Sequence, residues 1–132
     1  MTTPDKIIKS VLVVDDDSQL RALVSLLLRS MELAVIEAGS AKEAAGILAA
    51  STADPLLAII DYRMPEMDGI SWITELRDAG RTFPIVLLTS AWCDEETFHR
   101  LRNILKVNLI LRKPIEPEQF VKDIEQLLPA IK

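Results

Sequence analysis

The chain has 132 residues, of which 49% are hydrophobic, so it has the size and the apolar content of one domain with a buried core. Its formal net charge is −5, and this acidic balance argues against direct binding of nucleic acid. The first residues lack the apolar core of a secretory signal, and no apolar run approaches the roughly 18 residues of a membrane-spanning helix. We therefore expect a cytoplasmic protein without membrane contact, in which the single cysteine, Cys93, forms no internal disulfide.

The first apolar run, Ser10–Val14, predicts a buried strand, and a helical pattern follows it. Leucine, valine and methionine recur there at three- and four-residue steps, and Ser18 is the expected N-cap. A second strand is predicted at Ala34–Glu37. The helix after it opens with Ser40 and Glu43, whose spacing is typical of a capping box. The chain thus begins with two strand–helix units.

The rest of the chain repeats this alternation. Further strands are predicted at Leu57–Ile60, Ile85–Leu88 and Leu109–Leu111. Further helices are predicted at Gly69–Asp78, from Asp94 to Leu105, and from Pro117 to Ile131. We expect the fourth helix to place Phe98, Leu101 and Leu105 on one face.

Strict alternation of five strands and five helices predicts an α/β fold with a doubly wound parallel sheet. The flavodoxin-like (βα)5 arrangement, with strand order 2-1-3-4-5, fits this pattern. We expect residues 10–132 to form this single domain after a short N-terminal tail, residues 1–9. In such a sheet the first and third strands are neighbours, and ligands bind beside the carboxyl ends of the strands.

Carboxylates follow both of these neighbouring strands. Asp15, Asp16 and Asp17 come directly after the first apolar run, and Asp61 comes directly after the third. We assign Asp17 to stabilising the helix N-terminus. The other acids would crowd one small site, where like charges require a cation or displaced pKa values. Mg²⁺ typically takes one or two carboxylates together with phosphate oxygens, so the pattern indicates phosphate chemistry.

Two further strand ends supply the groups that would hold a phosphoryl group. Thr89 follows the fourth apolar run, and Lys113 follows the fifth. A hydroxyl and an ammonium can stabilise phosphoryl oxygens as charge moves during transfer. An acid or a lysine at one strand end is usually a solvated loop residue, but four strand ends agree here.

The ordered set of motifs resembles the receiver domains of response regulators, CheY-like proteins of two-component signal transduction, over essentially the whole chain. The matching pieces are Val-Leu-Val-Val-Asp-Asp-Asp at 11–17, Asp-Tyr-Arg-Met-Pro-Glu-Met-Asp-Gly at 61–69, Leu-Leu-Thr-Ser-Ala at 87–91 and Lys-Pro at 113–114. The resemblance implies that Asp61 accepts the phosphoryl group, that Thr89 and Lys113 contact it, and that the Lys113–Pro114 bond is cis.

The same resemblance implies a Mg²⁺ site and a set of partners. Asp16 and Asp61 would be direct ligands, Asp15 would help through water, and Arg63 would offer its backbone carbonyl. A sensor histidine kinase or a phosphotransfer protein would donate the phosphoryl group. The response would appear on the face of the fourth helix, fifth strand and fifth helix, which would meet a target, an output domain or a second copy. Such a domain is a signalling module that catalyses only its own phosphorylation and dephosphorylation.

One position departs from the family pattern, since Ile110 stands three residues before Lys113, where an aromatic residue is usual. We hypothesise that Trp92 or another loop side chain replaces that aromatic residue, or that the fourth helix shifts without one. Two other functions remain open. The chain could be a receiver-like module that binds a partner without being phosphorylated. Less favoured is a phosphatase resembling the haloacid dehalogenases, with Asp15 as nucleophile.

Overall fold

The computed structural model of the chain describes residues 10–51, 53–90 and 93–131. Its strands are β1 (Ser10–Val14), β2 (Ala34–Ala38), β3 (Leu57–Asp61), β4 (Ile85–Thr89) and β5 (Leu109–Arg112). Its helices are α1 (Ser18–Ser30), α2 (Ala41–Ala49), α3 (Gly69–Asp78), α4 (Glu95–His99) and α5 (Pro117–Ile131), and α4 continues into a π-helical segment, Arg100–Ile104. The predicted tail, residues 1–9, lies outside the described residues.

The five strands form one parallel sheet in the order β2-β1-β3-β4-β5, as predicted. Val14 pairs with Ile60 of β3, so the next residues of both strands emerge at the same edge of the sheet. On the far side of β3, Asp61 pairs with Leu88 of β4. The residues that follow β1, β3 and β4 therefore meet at one edge.

Alternate residues of the strands pack into two cores, one on each face of the sheet. Val11 and Val13 of β1 face α1 and α5, in a core that includes Leu28 and Phe120. The intervening residues of β1 face α2, α3 and α4, in a core that includes Ile73. Burial of both faces explains why the strands read as continuous apolar runs. Within the described ranges, no helix combines the length and the apolar character needed to cross a membrane.

Several predicted boundaries were wrong by a residue. The last four strands each extend one residue further, through Ala38, Asp61, Thr89 and Arg112. The N-cap of α1 is Asp17 rather than Ser18, because the Asp17 carboxylate accepts from the backbone N–H groups of Gln19 and Leu20 at 3.0 and 3.2 Å. This contact confirms that Asp17 serves the helix N-terminus.

The capping box before α2 is partly as predicted. Ser40 Oγ accepts the Glu43 N–H at 3.0 Å, while Glu43 Oε1 accepts from the backbone of Gly39, at 2.9 Å, rather than from that of Ser40. The side chain of Glu43 thus reaches one residue further back than the usual pattern.

The fourth helix differs most from its prediction. It begins at Glu95, after the N-cap Asp94, and its second half is π-helical. Leu101 and Leu105 are buried, as predicted, but Phe98 is 48% exposed and does not share their buried face. The wider turn of a π-helix changes which side chains align, so a spacing rule for an α-helix fails there.

Candidate functional site

Three carboxylates gather where β1 and β3 end. Ligand oxygens of Asp15, Asp16 and Asp61 all lie within 4.8 Å of one another. Asp15 is only 1% exposed and Asp61 only 3%, whereas Asp16 is exposed to solvent. The structure therefore brings together the three acids that the sequence predicted, with two of them buried.

Lys113 supplies the positive charge of the site. Its Nζ lies 2.7 Å from Asp61 Oδ1 and 3.5 Å from Asp15 Oδ2. The Lys113 N–H donates to the Thr89 carbonyl at 2.8 Å, which joins the ends of β4 and β5, and the Lys113–Pro114 bond is cis, as predicted. Thr89 itself is buried at the end of β4. The lysine and the threonine thus stand at the strand ends that adjoin the acids.

Burial displaces the pKa values of the two inner carboxyls. Desolvation raises the pKa of Asp15, and the negative charges of Asp61 and Asp16 raise it further against an opposing hydrogen bond from the backbone of Asp17. Desolvation also raises the pKa of Asp61, although its hydrogen bond with Lys113 opposes this change. Burial lowers the pKa of Lys113, but the hydrogen bond with Asp61 and the two carboxylate charges outweigh it, and the net direction is upward.

The site has the features of a place for a hard cation. Asp15 Oδ2 is buried and receives no hydrogen bond from any of the described residues. Such an oxygen loses its hydrogen bonds to water when it is buried. Lys113 does not replace them fully, because it is shared with Asp61. Oxygen ligands at this spacing suit Mg²⁺. Arg63 follows two residues after Asp61, its backbone acts to lower the pKa of that carboxyl, and its carbonyl remains a predicted ligand.

Gly69 closes the loop that follows Asp61. Its N–H donates to the Tyr62 carbonyl at 2.6 Å, and a Cβ at this position would lie 2.5 Å from the Asp61 carbonyl oxygen. Glycine is not required here for unusual backbone dihedrals. Its φ is not in the left-handed region, and glycine is needed because the start of α3 lies so close to the backbone of Asp61 and Tyr62.

The structure shows the surroundings of Ile110, which stands where the family usually has an aromatic residue. Ile110 is half-buried and packs against the core on the α2, α3 and α4 side of the sheet. Trp92, the expected substitute, lies outside the described residues, so its role stays a prediction. His99 is exposed on α4.

A sequence profile of the family described as "Response regulator receiver domain" matches residues 11–125. The chain belongs to this family. The match includes all the predicted site residues and sets aside the phosphatase alternative. The family is one of signalling domains of two-component systems, and the resemblance identified from the sequence is confirmed.

Relatives and solved structures agree with this assignment. An uncharacterised 14.6 kDa protein of Leptolyngbya boryana is 35% identical over 88% of this chain and 87% of its own length. The alkaline phosphatase synthesis transcriptional regulatory protein PhoP of Bacillus subtilis is 32% identical over 91% of this chain, but the matched region is only 48% of PhoP. The chain therefore spans about half of that regulator. The chemotaxis protein CheY4 of Vibrio cholerae superimposes with a TM-score of 0.77 at 27% identity, covering 92% of this chain and 99% of CheY4.

One residue beside the site, Arg21, was not predicted from the sequence. Arg21 Nη1 donates to the Asp15 backbone carbonyl at 2.6 Å. A basic residue four positions after Asp17, in the first turns of α1, was the available signal. It carries little weight alone, because basic residues on exposed helix faces are common.

Proposed function

We propose that this domain receives a phosphoryl group on Asp61 in a His-to-Asp phosphorelay. The donor is the phosphohistidine of a sensor histidine kinase or of a phosphotransfer protein, and acetyl phosphate can replace it. One observation carries the proposal: a buried carboxylate, Asp61, lies 2.7 Å from Lys113 Nζ and within the group formed by Asp15 and Asp16. An ordinary buried ion pair would not need two further carboxylates beside it.

In the proposed step a carboxylate oxygen of Asp61 attacks phosphorus. The bond between phosphorus and the donor nitrogen breaks, and the electron pair stays on that nitrogen. An acyl phosphate forms on Asp61. The Lys113 ammonium offsets negative charge on the phosphoryl oxygens, and the Thr89 hydroxyl donates a hydrogen bond to one of them. These groups come from separate strand ends, so the sheet fixes their mutual positions.

Mg²⁺ fits the acidic group of this site. Asp16 and Asp61 would bind it directly, Asp15 would hold one of its waters, and the Arg63 carbonyl would complete the protein ligands. When bound, the ion supplies positive charge that screens the carboxylates from the incoming phosphoryl group. Support for this assignment comes from the buried Asp15 Oδ2, which accepts no hydrogen bond from the described residues.

Phosphorylation would shift an equilibrium between two conformations of the surface formed by α4, β5 and α5. A target protein, an output domain or a second copy of the chain would bind that surface. Exposed Phe98 and Ile104 on the α4 side support a contact there. The unit acting in this way is residues 10–132, in the cytoplasm, and its catalysis is limited to its own acyl phosphate.

Intact-mass measurement tests the proposal. The protein is incubated with acetyl phosphate and Mg²⁺, beside an Asp61→Asn variant and a sample containing EDTA. We expect a mass gain of one phosphoryl group that requires both Asp61 and Mg²⁺. A folded wild-type protein that gains no mass, even with a phosphohistidine donor, would favour a module that binds a partner without being phosphorylated.

A further inference from the structure

The turn between β1 and α1 carries two of the three acids, and hydrogen bonds hold it on several sides. The Asp15 N–H donates to the Ala38 carbonyl at 3.1 Å, and the Asp17 N–H donates to Asp15 Oδ1 at 2.9 Å. The Asp15 carbonyl accepts from Arg21 Nη1 at 2.6 Å. Asp16 lies between these anchored positions, so the place of its carboxylate depends on all of these bonds.

Arg21 is itself held by a second partner. Its Nε donates to Glu37 Oε1, at the end of β2, over 3.1 Å. The two side chains are 21% and 34% exposed, so water competes only partly with this pair. Gly39 adjoins the guanidinium, since a Cβ there would lie 3.4 Å from Arg21 Nη1, at contact distance. A planar guanidinium can serve both acceptors at once because its donors are fixed in a fork.

We propose that Arg21 is a positioning residue for the Mg²⁺ site. It bonds the backbone of Asp15 rather than the carboxylate, and through that bond it fixes the turn from which Asp15 and Asp16 project. Glu37 orients Arg21 in turn, so β2 and α1 together brace the acids. This inference rests on the proposed function, because it concerns the affinity of the same acidic group for the cation.

The charge of Arg21 and its hydrogen bond have opposite effects on Mg²⁺ binding. A positive charge near a cation site repels the cation, so removing the charge alone would strengthen binding. Loss of a positioning bond moves the ligands out of place and weakens binding, typically by 10- to 100-fold for the partners that orient metal ligands. The sign of the change in Mg²⁺ affinity therefore distinguishes a positioning role from the effect of a nearby positive charge.

The experiment is a Mg²⁺ titration of the whole chain, followed by the backbone amide NMR shifts of Asp17 and Arg63. Wild type is compared with Arg21→Ala and Arg21→Lys, and thermal unfolding is recorded for each protein. Lysine keeps the positive charge but cannot replace the fork that holds both acceptors. The control is Arg29→Ala, because Arg29 is 55% exposed and lies 3.9 Å from the same Glu37.

We expect both Arg21 variants to bind Mg²⁺ about tenfold more weakly, and Arg29→Ala to bind it nearly as wild type does. Equal or tighter binding by Arg21→Lys overturns the inference while leaving the proposed function intact. If Arg21→Ala does not fold, Arg21→Lys decides alone. A folded wild type that binds no Mg²⁺ overturns the proposed cation site and this inference together.

Discussion

The two edges of the sheet both enclose charged side chains, but they compensate for them differently. At the edge where the strands begin, Arg77 of α3 donates to the carbonyls of Leu105, Phe83, Arg81 and Lys106, at 2.7, 2.8, 3.1 and 3.3 Å. At the edge where the strands end, three acids share Lys113, and Asp15 Oδ2 accepts no hydrogen bond from the described residues. At the first edge the charged side chain is hydrogen-bonded within the fold, and we call this the satisfied edge. At the second a buried carboxylate oxygen accepts no hydrogen bond from the described residues, and we call this the incomplete edge.

A displaced pKa does not distinguish these two situations. Burial lowers the pKa of Arg77, against the opposing charge of Asp54, just as burial raises those of Asp15 and Asp61. Hydrogen bonding does distinguish them. A cation surrounded by carbonyls is a structural clamp, whereas crowded carboxylates with an unsatisfied oxygen indicate a site for a ligand.

The largest effect on stability is expected at the satisfied edge. Arg77→Ala removes the donor from carbonyls that end α4 and precede β4, so we expect the free energy of unfolding to fall by about 3 kcal/mol. Urea denaturation measures this change. Phosphorylation of the folded fraction by acetyl phosphate should persist, because Arg77 lies at the opposite edge from Asp61. Loss of phosphorylation in a folded Arg77→Ala protein would contradict the view that Arg77 serves stability and not the chemistry at Asp61.

Arg102→Ala is the matched control for that variant. Arg102 Nη1 donates to the Asn108 carbonyl at 3.0 Å, but the residue is exposed. We expect the free energy of unfolding to change by no more than about 0.5 kcal/mol, as is usual for surface substitutions. A loss as large as that of Arg77→Ala would show that burial of the clamp is unimportant.

A smaller loss of stability is expected where α3 meets the loop that follows Asp61. Gly69→Ala would place a Cβ 2.5 Å from the Asp61 carbonyl oxygen, so the loop must shift. We expect the free energy of unfolding to fall by about 2 kcal/mol and phosphorylation to slow. Denaturation and intact-mass time courses measure both effects.

Gly46→Ala in α2 provides the opposite control, since a Cβ there meets nothing within 4 Å. Alanine is the better helix former, so this variant should gain about 0.5 to 1 kcal/mol. A neutral Gly69→Ala would show that the loop has more room than the structure gives it.

Apart from the controls, the smallest effect on stability is a gain, and it lies at the incomplete edge. Asp15→Asn removes a buried negative charge but keeps an oxygen for the Asp17 N–H, so in Mg²⁺-free buffer at neutral pH we expect a gain of about 1 kcal/mol. The folded pKa of Asp15 lies above its ordinary 3.8, so the folded protein binds more protons than the unfolded chain. Wild-type stability from this group is therefore present near and below 3.8 and is lost as pH rises through the folded pKa.

The gain in stability from Asp15→Asn should accordingly be small in acid. It should grow as pH rises from 3.8 to the raised folded pKa of Asp15 and stay constant above that pKa. Thermal unfolding at a series of pH values measures it. Asp16→Asn, on the exposed neighbouring acid, should stabilise less. An advantage of Asp15→Asn that is independent of pH would contradict the assigned cause.

Sequence patterns predicted the incomplete edge well because parallel topology converts chain position into spatial proximity. Asp15, Asp61, Thr89 and Lys113 each follow an apolar run, and in this sheet all such positions reach one edge. The ends of the last four strands were still placed a residue early. Asp61 and Thr89 are polar, so they mark the end of an apolar run, yet both still pair with the neighbouring strand.

The satisfied edge was not predicted at all. Which carbonyls Arg77 or Arg21 reaches depends on where loops from distant parts of the chain lie, and no local spacing encodes that. The π-helical segment Arg100–Ile104 has no periodic signal of its own either. Asp17 and Ser18 are both good N-caps, so sequence alone could not choose between neighbours.

The most direct test of the account is to locate the phosphoryl group. After incubation with acetyl phosphate and Mg²⁺, borohydride reduction converts an aspartyl phosphate to homoserine, and peptide mass mapping identifies its position. We predict homoserine at Asp61 alone, and none when EDTA is present. Homoserine at Asp15 or Asp16, or none in a folded protein that binds Mg²⁺, would contradict the account.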